Sequence, residues 1–246
     1  MLKLFYHIHT TGDQYGDLFF VDEQIKRLQY NELIDEASVH AVITGPSTQA
    51  VYQLVDMSRK IRILEHIECQ SDPLFEGRTL QYIQRETNID DDIIYIHTKA
   101  ISYIMGHRRV ADLFGPRHLK ALNGWRDMME YYILDRWQDR LKDSESYDTQ
   151  GCFLLQNPWR HYMGNFWWAK GSYIHQLPNP LTFPVIAYPG MEFKETAPER
   201  MRYEQWILLN SGKHKDIKPF PLQSQKAQIG YTRDFTPYED DISDYD

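Results

Sequence analysis

The chain has 246 residues, of which 42% are hydrophobic and 14% aromatic, and this is enough to bury one large core. Its net charge is −8, but six acids and no base lie between Asp234 and Asp246, so the rest of the chain carries only about −2. This near-neutral body has no local run of Lys and Arg, which excludes the basic stripe that a duplex nucleic-acid binder needs.

The two cysteines and the lengths of the apolar segments predict a cytoplasmic protein. Cys69 and Cys152 are too few for a disulfide framework, and their apolar settings suit reduced thiols. No segment reaches the roughly 20 apolar residues of a membrane span. The residues after Met1 run directly into a strand and do not form the apolar region of a signal peptide.

The first half of the chain alternates between strands and helices. Strands are predicted at 4–8, 39–44, 61–67 and 93–96, and helices at 21–37, 47–59 and 79–87. The fourth strand is an unbroken apolar run, which is typical of a strand covered on both faces. This order predicts an α/β fold with right-handed crossovers and a mainly parallel sheet that has helices on both faces.

The second half is mixed and rich in aromatic residues. It is predicted to contain a helix at 119–141, strands at 151–155 and 166–168, a helix at 172–177, a proline-rich loop at 178–189 and a helix at 199–209. We predict one domain over residues 1–220, with a nucleotide-binding half at 1–115 and an acceptor half at 116–220. Residues 221–246 are predicted to be an acidic tail.

Polar residues follow each of the first four predicted strands. These are His9, Thr10 and Thr11 after the first strand, Thr44 and Gly45 after the second, Glu68 after the third, and His97, Thr98 and Lys99 after the fourth. Ligands of open α/β sheets bind outside the carboxyl ends of the strands, so these residues are predicted to converge on one site. Hydroxyl groups, a close-packing glycine, an acid and a lysine suit a nucleotide diphosphate.

Two other motifs fail because of their positions. Tyr95 and Lys99 have the spacing of the Tyr-x-x-x-Lys pair of short-chain reductases, but that pair requires a helix and these residues complete a strand. Residues 90–92 read Asp-Asp-Asp and resemble a metal-binding Asp-x-Asp motif. They precede the fourth strand, at the edge opposite the predicted site, so a solvated turn is the better interpretation.

Several segments resemble a family of GT-A-like glycosyltransferases of bacteria and large viruses. The family motif Tyr-x-His-Thr-Lys-Gly is similar to residues 95–100, where Ala100 replaces the glycine, and Gly-Asn-Phe-Trp-Trp-Ala is present at residues 164–169. Further agreement lies at Glu76, Thr79, Leu80, Trp125, Met128, His161, Tyr173, Ile174, Leu177, Glu204 and Trp206. The resemblance covers residues 1–210, and the order and spacing of the segments agree throughout.

The resemblance implies transfer of a sugar, a hexose or deoxyhexose, from a nucleotide-diphosphate donor such as a UDP-sugar to a glycan or another hydroxyl acceptor. Lys99 is predicted to bind the diphosphate, with Arg78 as a second cation. His97 is a candidate for a hydrogen bond to phosphate or for metal binding. A lone histidine is no ligand set, so no cofactor is predicted, although a divalent metal such as manganese remains open.

The base that takes the acceptor proton is predicted to be Glu204, because the late Glu-x-Trp segment resembles the helix that presents this carboxylate in inverting GT-A enzymes. Glu192 and Asp148 are the alternatives. The bland interpretation is that Glu204 only pairs with Arg200 or Arg202 on a helix surface. The acceptor-binding residues that shape the sugar pocket are predicted to be His161, Asn165, Trp167 and Trp168.

Two other classes of function compete with this prediction. A nucleotide-sugar-binding domain without catalysis would keep the donor residues and tolerate the loss of Glu204. An α/β hydrolase or phosphatase would need a nucleophile elbow or a metal cluster. The sequence shows neither, since no Gly-x-Ser-x-Gly segment occurs in it.

Overall fold

The computed structural model describes residues 1–69, 74–98, 116–156, 159–184 and 197–218. The first half consists of β1 (Leu2–His9), α1 (Gln14–Tyr30), α2 (Leu33–Glu36), β2 (Ser38–Gly45), α3 (Gln49–Met57), β3 (Ile61–Glu68), α4 (Gly77–Glu86) and β4 (Asp92–His97). These elements confirm the predicted alternation of strands and helices.

The second half contains three helices, three short helical turns and five short strands among the described residues. They are α5 (Pro116–Glu130), a π-helical turn (Tyr131–Asp135), α6 (Trp137–Asp143), β5 (Thr149–Cys152), β6 (Leu154–Leu155), β7 (His161–Tyr162), a 3-10 turn (Met163–Asn165), β8 (Trp167–Lys170), the four-residue helical turn α7 (Gly171–Ile174), α8 (Ala197–Trp206) and β9 (His214–Ile217).

Seven strands form one mixed sheet in the order β3-β2-β1-β4-β8-β5-β9, and β6 pairs with β7 in a separate hairpin. Strands β1 to β4 are parallel to one another. Strand β8 is antiparallel to both of its neighbours, β4 and β5, whereas β5 and β9 are parallel. The predicted α/β fold with a mainly parallel sheet is therefore confirmed.

The core lies on both faces of the sheet because successive strand residues point to opposite faces. On one face, Leu4, Tyr6 and Ile8 of β1 pack with apolar residues of α1, α3 and α5. On the other face, Phe5 of β1 packs with residues of α4, α7 and α8. The second face also carries His7, Tyr95 and His97, so the candidate site described below lies on the face covered by α4 and α8.

Several predicted boundaries were wrong. Helix α1 begins at Gln14 and not at 21, because Asp13 caps it by accepting a hydrogen bond from the Gly16 backbone. The helix predicted at 119–141 is divided by the π-helical turn at Tyr131–Asp135. In the described residues, no helix is both long and apolar enough to cross a membrane.

Candidate functional site

The site lies where the strand order of the sheet reverses. The chain leaves β1 toward β2 and β3 on one side and returns through α4 to β4 on the other side. The carboxyl ends of β1 and β4 therefore flank a topological switch point, which is the usual ligand position in open α/β sheets. His7 pairs in register with His97, and His9 with Thr44. The predicted site residues of these strands thus lie at one edge.

Two predicted donor-binding threonines hold the strand ends together. The Thr98 hydroxyl accepts a hydrogen bond from the His9 amide at 2.9 Å and donates one to the His9 carbonyl at 3.1 Å. The Thr10 hydroxyl donates to the Pro46 carbonyl at 2.6 Å. Both side chains are buried, as is Thr44. Their main contribution in this structure is to shape the edge of the sheet.

Gly45 permits the closest backbone approach at this edge. Its φ is +117°, and a Cβ atom placed on it would lie 2.5 Å from the Thr10 carbonyl oxygen. Any other residue would therefore push β1 and β2 apart at the site. Glu68, which pairs in register with Gly45, is exposed at the end of β3.

The loop after β1 is filled by a carboxylate of the protein itself. Asp17 accepts hydrogen bonds from the Thr11 amide at 2.9 Å, the Thr11 hydroxyl at 2.9 Å and the Gly12 amide at 3.1 Å. Burial raises the pKa of Asp17, and these hydrogen bonds oppose that shift. The amide and hydroxyl groups of Thr11, which was predicted to bind the nucleotide, thus already donate hydrogen bonds to Asp17.

The centre of the site is a set of four polar residues, Glu76, Tyr95, His97 and Asn165, which we call the Glu76 cluster. Glu76 directly precedes α4, and its side chain is only 13% exposed. Its Oε2 atom accepts hydrogen bonds from the Tyr95 hydroxyl at 3.0 Å and from Asn165 Nδ2 at 2.5 Å. Its Oε1 atom lies 3.5 Å from His97 Nδ1. The positive end of α4 favours a negative charge at this position.

Both ring nitrogens of His97 face oxygen atoms of the protein. Its Nε2 atom donates to the Gly164 carbonyl at 2.9 Å, and its Nδ1 atom faces Glu76. The imidazole is buried beside the rings of Tyr95 and Phe166. His97 lies at the predicted site, but its ring atoms contact protein groups.

The segment before β8 has an unusual backbone conformation. Gly164 and Asn165 have φ values of +77° and +57°, which are in the left-handed region. Asn165 keeps this conformation with two side-chain bonds, one to Glu76 and one from Trp167 Nε1 at 3.1 Å. Asparagine tolerates this region better than most residues, and the two bonds hold its side chain in place at the end of β4.

The comparison with known families adds one finding. Residues 5–233 match the model of a family described as a domain of unknown function, DUF8361. The chain belongs to the DUF8361 family. No curated protein matches it.

In this DUF8361 chain, Glu204 approaches the Glu76 cluster from α8. Burial raises the pKa of Tyr95 well above its usual range, and the charges of Glu76 and Glu204 add to this effect. Glu204 is half-buried, and Tyr203 beside it packs over Gly77 at the start of α4. These contacts bring the predicted base to the same face of the sheet as His97.

The alternatives to Glu204 have different positions. Asp148 accepts a hydrogen bond from the Lys213 amide, and its carbonyl accepts one from the Lys170 amide. Because Lys170 pairs with Asp92 at the start of β4, Asp148 lies at the opposite edge of the sheet. Glu192 and the side chain of Arg200 lie outside the described residues. Arg202 donates to the Leu181 carbonyl at 2.7 Å.

The predicted acceptor residues divide into two groups. Asn165 belongs to the Glu76 cluster, and Trp167 beside it is fully buried against Tyr95 and Trp206. Trp168 is 1% exposed on the other face of the sheet, where its Nε1 atom donates to the Ile133 carbonyl at 3.0 Å. His161 is half-buried, and its Nδ1 atom donates to the Trp159 carbonyl. The structure does not bring Trp168 to the site.

Of the two predicted phosphate-binding cations, Arg78 and Lys99, the structure describes only Arg78. Arg78 lies on α4 and pairs with Glu65 of β3 at 3.4 Å. Lys99 lies outside the described residues. Asp91 pairs with Lys3 at 2.7 Å at the start of β4, which confirms that the Asp-Asp-Asp segment is at the opposite edge. Across the described ranges, no three or more His, Cys, Asp or Glu side chains gather as a metal ligand set would.

Sequence reasoning missed three residues at this site. Glu76 and Asp17 were given no role, and neither was His7, whose Nδ1 atom lies 2.9 Å from the Thr79 hydroxyl. Burial lowers the pKa of His7 to about 3, so its imidazole is neutral at physiological pH. The sequence did offer a signal that Glu76 and Thr79 belong to the site. Both lie in the Glu-x-x-Thr-Leu segment, residues 76–80, which agrees with the glycosyltransferase family that the chain resembles.

Proposed function

We propose that this chain is a glycosyltransferase of the GT-A type that binds a nucleotide-diphosphate sugar, such as a UDP-sugar, at the carboxyl ends of β1 and β4. The observation that carries the proposal is the Glu76 cluster, which brings polar groups from α4, β4 and the segment before β8 to the switch point. Buried titratable groups that gather at a switch point are typical of a catalytic site.

The proposed reaction is a direct displacement. The acceptor hydroxyl oxygen forms a bond to the anomeric carbon, while the bond from that carbon to the diphosphate breaks. Glu204 takes the hydroxyl proton, and the nucleoside diphosphate leaves with the electron pair of the broken bond. This single displacement inverts the configuration of the sugar at its anomeric carbon. Lys99, directly after Thr98, supplies positive charge to the leaving diphosphate.

The test is a panel of nucleotide sugars ranked by thermal shift, followed by an assay of free nucleoside diphosphate with and without acceptors. A ligand at 100 times its dissociation constant stabilises the fold by about 2.7 kcal/mol, which gives a clear shift. Acceptor-dependent release supports the transferase. Binding without any release would favour a non-catalytic nucleotide-sugar-binding domain, and a panel without any shift would contradict both.

The Lys99→Ala variant is expected to bind the nucleoside diphosphate more weakly by about 1.5 to 3 kcal/mol, because a charge-assisted contact to phosphate is lost. Isothermal calorimetry measures the change. Lys142→Ala, which removes an exposed lysine of α6, is the matched control and should leave the affinity unchanged. Equal affinities of the Lys99→Ala variant and the unmodified chain would remove Lys99 from the site.

Donor binding is expected to survive EDTA. A protein cation and a divalent ion would compete for the same phosphate oxygens, and we assign that role to Lys99. Calorimetry of the nucleoside diphosphate with EDTA, and again with manganese, checks this expectation. Affinity that appears only with manganese would show that a metal ion, and not Lys99 alone, neutralises the diphosphate.

A further inference from the structure

The contacts of the two ring nitrogens of His97 bear on whether its imidazole is neutral or doubly protonated. A neutral imidazole carries a single N–H group. The Gly164 carbonyl oxygen lies 2.9 Å from Nε2 and can only accept, so the hydrogen is on Nε2. In a neutral ring, Nδ1 would then direct its lone pair toward Glu76 Oε1, which lies 3.5 Å away. A proton on either atom would make this contact favourable, whereas two facing lone pairs would repel each other.

The surroundings of Glu76 favour its ionised form. Its second carboxylate oxygen already accepts two hydrogen bonds, from Tyr95 and from Asn165. Hydrogen bonds to the charged form of an acid stabilise that form, and so does the positive end of α4. A proton at this contact is therefore expected on His97, which would make the two residues a buried ion pair.

We propose that Glu76 is a positioning residue whose ionised carboxylate holds His97 in its doubly protonated form and keeps Asn165 in its left-handed conformation at the switch point. The carboxylate links three parts of the fold. It precedes α4, contacts Tyr95 and His97 of β4, and binds Asn165 just before β8.

Several other titratable groups surround the pair. Burial lowers the pKa of His7 on β1 to about 3, the charge of Glu76 opposes that shift, and the charges of His97 and His9 add to it. Tyr95 is neutral, since burial raises its pKa well above its usual range. Glu204 on α8 adds a second negative charge near Tyr95. Burial of His97 opposes its protonation, and the negative charge of Glu76 favours it.

The consequence for catalysis rests on the proposed function. Glu76 belongs to the predicted donor half, and Asn165 belongs to the predicted acceptor half. Their hydrogen bond therefore fixes one half against the other, which is what alignment of an acceptor hydroxyl with an anomeric carbon requires. Loss of the carboxylate should lower kcat more than it raises KM for the donor.

The Glu76→Gln variant separates charge from shape. Its amide oxygen can still accept from Tyr95 and Asn165, and its amide nitrogen can donate to Nδ1 of a neutral His97. Tyr95→Phe is the matched control, since it removes one neutral donor but leaves the carboxylate in place. Glu65→Gln repeats the charge change on β3, where the carboxylate pairs with Arg78.

The experiment is nuclear magnetic resonance of the full chain with ¹⁵N-labelled histidine near pH 7. His97→Gln identifies the His97 signals among those of the ten histidines. We expect both ring nitrogens of His97 to be protonated in the unmodified chain and in the Tyr95→Phe and Glu65→Gln variants. In Glu76→Gln, Nδ1 should lose its proton while the far-ultraviolet circular dichroism stays unchanged.

Two results would overturn the proposal: an unprotonated ring nitrogen in His97 of the unmodified chain, or a doubly protonated His97 in Glu76→Gln. If Glu76→Gln does not fold, the spectrum of the unmodified chain still tests whether His97 is doubly protonated. The measurement uses no nucleotide, so its outcome does not depend on the proposed function. If the chain is a transferase, Glu76→Gln should also lower kcat roughly tenfold to hundredfold, because a charge-assisted interaction is lost.

Discussion

The Trp168→Ala variant is expected to unfold with a free energy about 3 to 5 kcal/mol lower than that of the unmodified chain. Trp168 is 1% exposed in the core between the sheet and the helices α1 and α5, and its indole donates to the Ile133 carbonyl. Alanine would leave a large cavity and an unpaired carbonyl at that point. Urea unfolding followed by circular dichroism measures the change.

Ile89→Ala is the control for that measurement, because Ile89 is 61% exposed in the turn before β4 and should change stability by less than about 0.5 kcal/mol. The Trp168 result also separates two interpretations of this residue. A core residue destabilises the whole fold when it is removed. A variant of normal stability that binds acceptors more weakly would instead support the predicted acceptor-binding role of Trp168.

The Glu204→Gln variant is expected to lower the rate of sugar transfer by about 10² to 10⁴, which is the usual contribution of a general base. The affinity for the nucleoside diphosphate should stay unchanged, since the carboxylate is proposed to act on the acceptor proton. Steady-state assays of transfer, together with calorimetry of donor binding, measure both quantities. Glutamine preserves the shape of the side chain, so the change reports the loss of the base.

Glu145→Gln is the matched control for Glu204→Gln, because Glu145 is exposed after α6 and should leave the transfer rate unaltered. A Glu204→Gln variant with a normal rate would exclude Glu204 as the base. Glu192 would then be the next residue to replace, because Asp148 lies at the opposite edge of the sheet.

The strands of the first half were predicted within one or two residues of their observed ends. The run predicted at 39–44 became Ser38–Gly45, and that at 93–96 became Asp92–His97. Strands that are covered on both faces require continuous apolar residues, so the local sequence is enough to predict where they lie. The same reasoning correctly placed His9, Thr44, Gly45 and Thr98 at one edge of the sheet.

The strands of the second half depend on their partners. Strand β9 consists of His-Lys-Asp-Ile and has no apolar run, and it is a strand because it pairs with β5. Strand β7 contains two residues, which is too short for any periodic pattern. Strand β6 lies inside the strand predicted at 151–155, which the structure divides between β5 and β6. Strands β7 and β9 could not be predicted, because hydrogen bonds to distant segments and not local preferences stabilise them.

By itself, the sequence determined the α/β alternation and the edge at which the predicted site residues gather, because both follow from local apolar patterns and from the direction of parallel strands. Only the tertiary structure decided which polar groups meet there. Glu76 and Asn165 are 89 residues apart in the chain and form a hydrogen bond, and Trp167 and Trp168 are adjacent but lie in different cores. Such contacts depend on how the helices and strands pack against one another. The spacing of residues in the sequence does not give that packing.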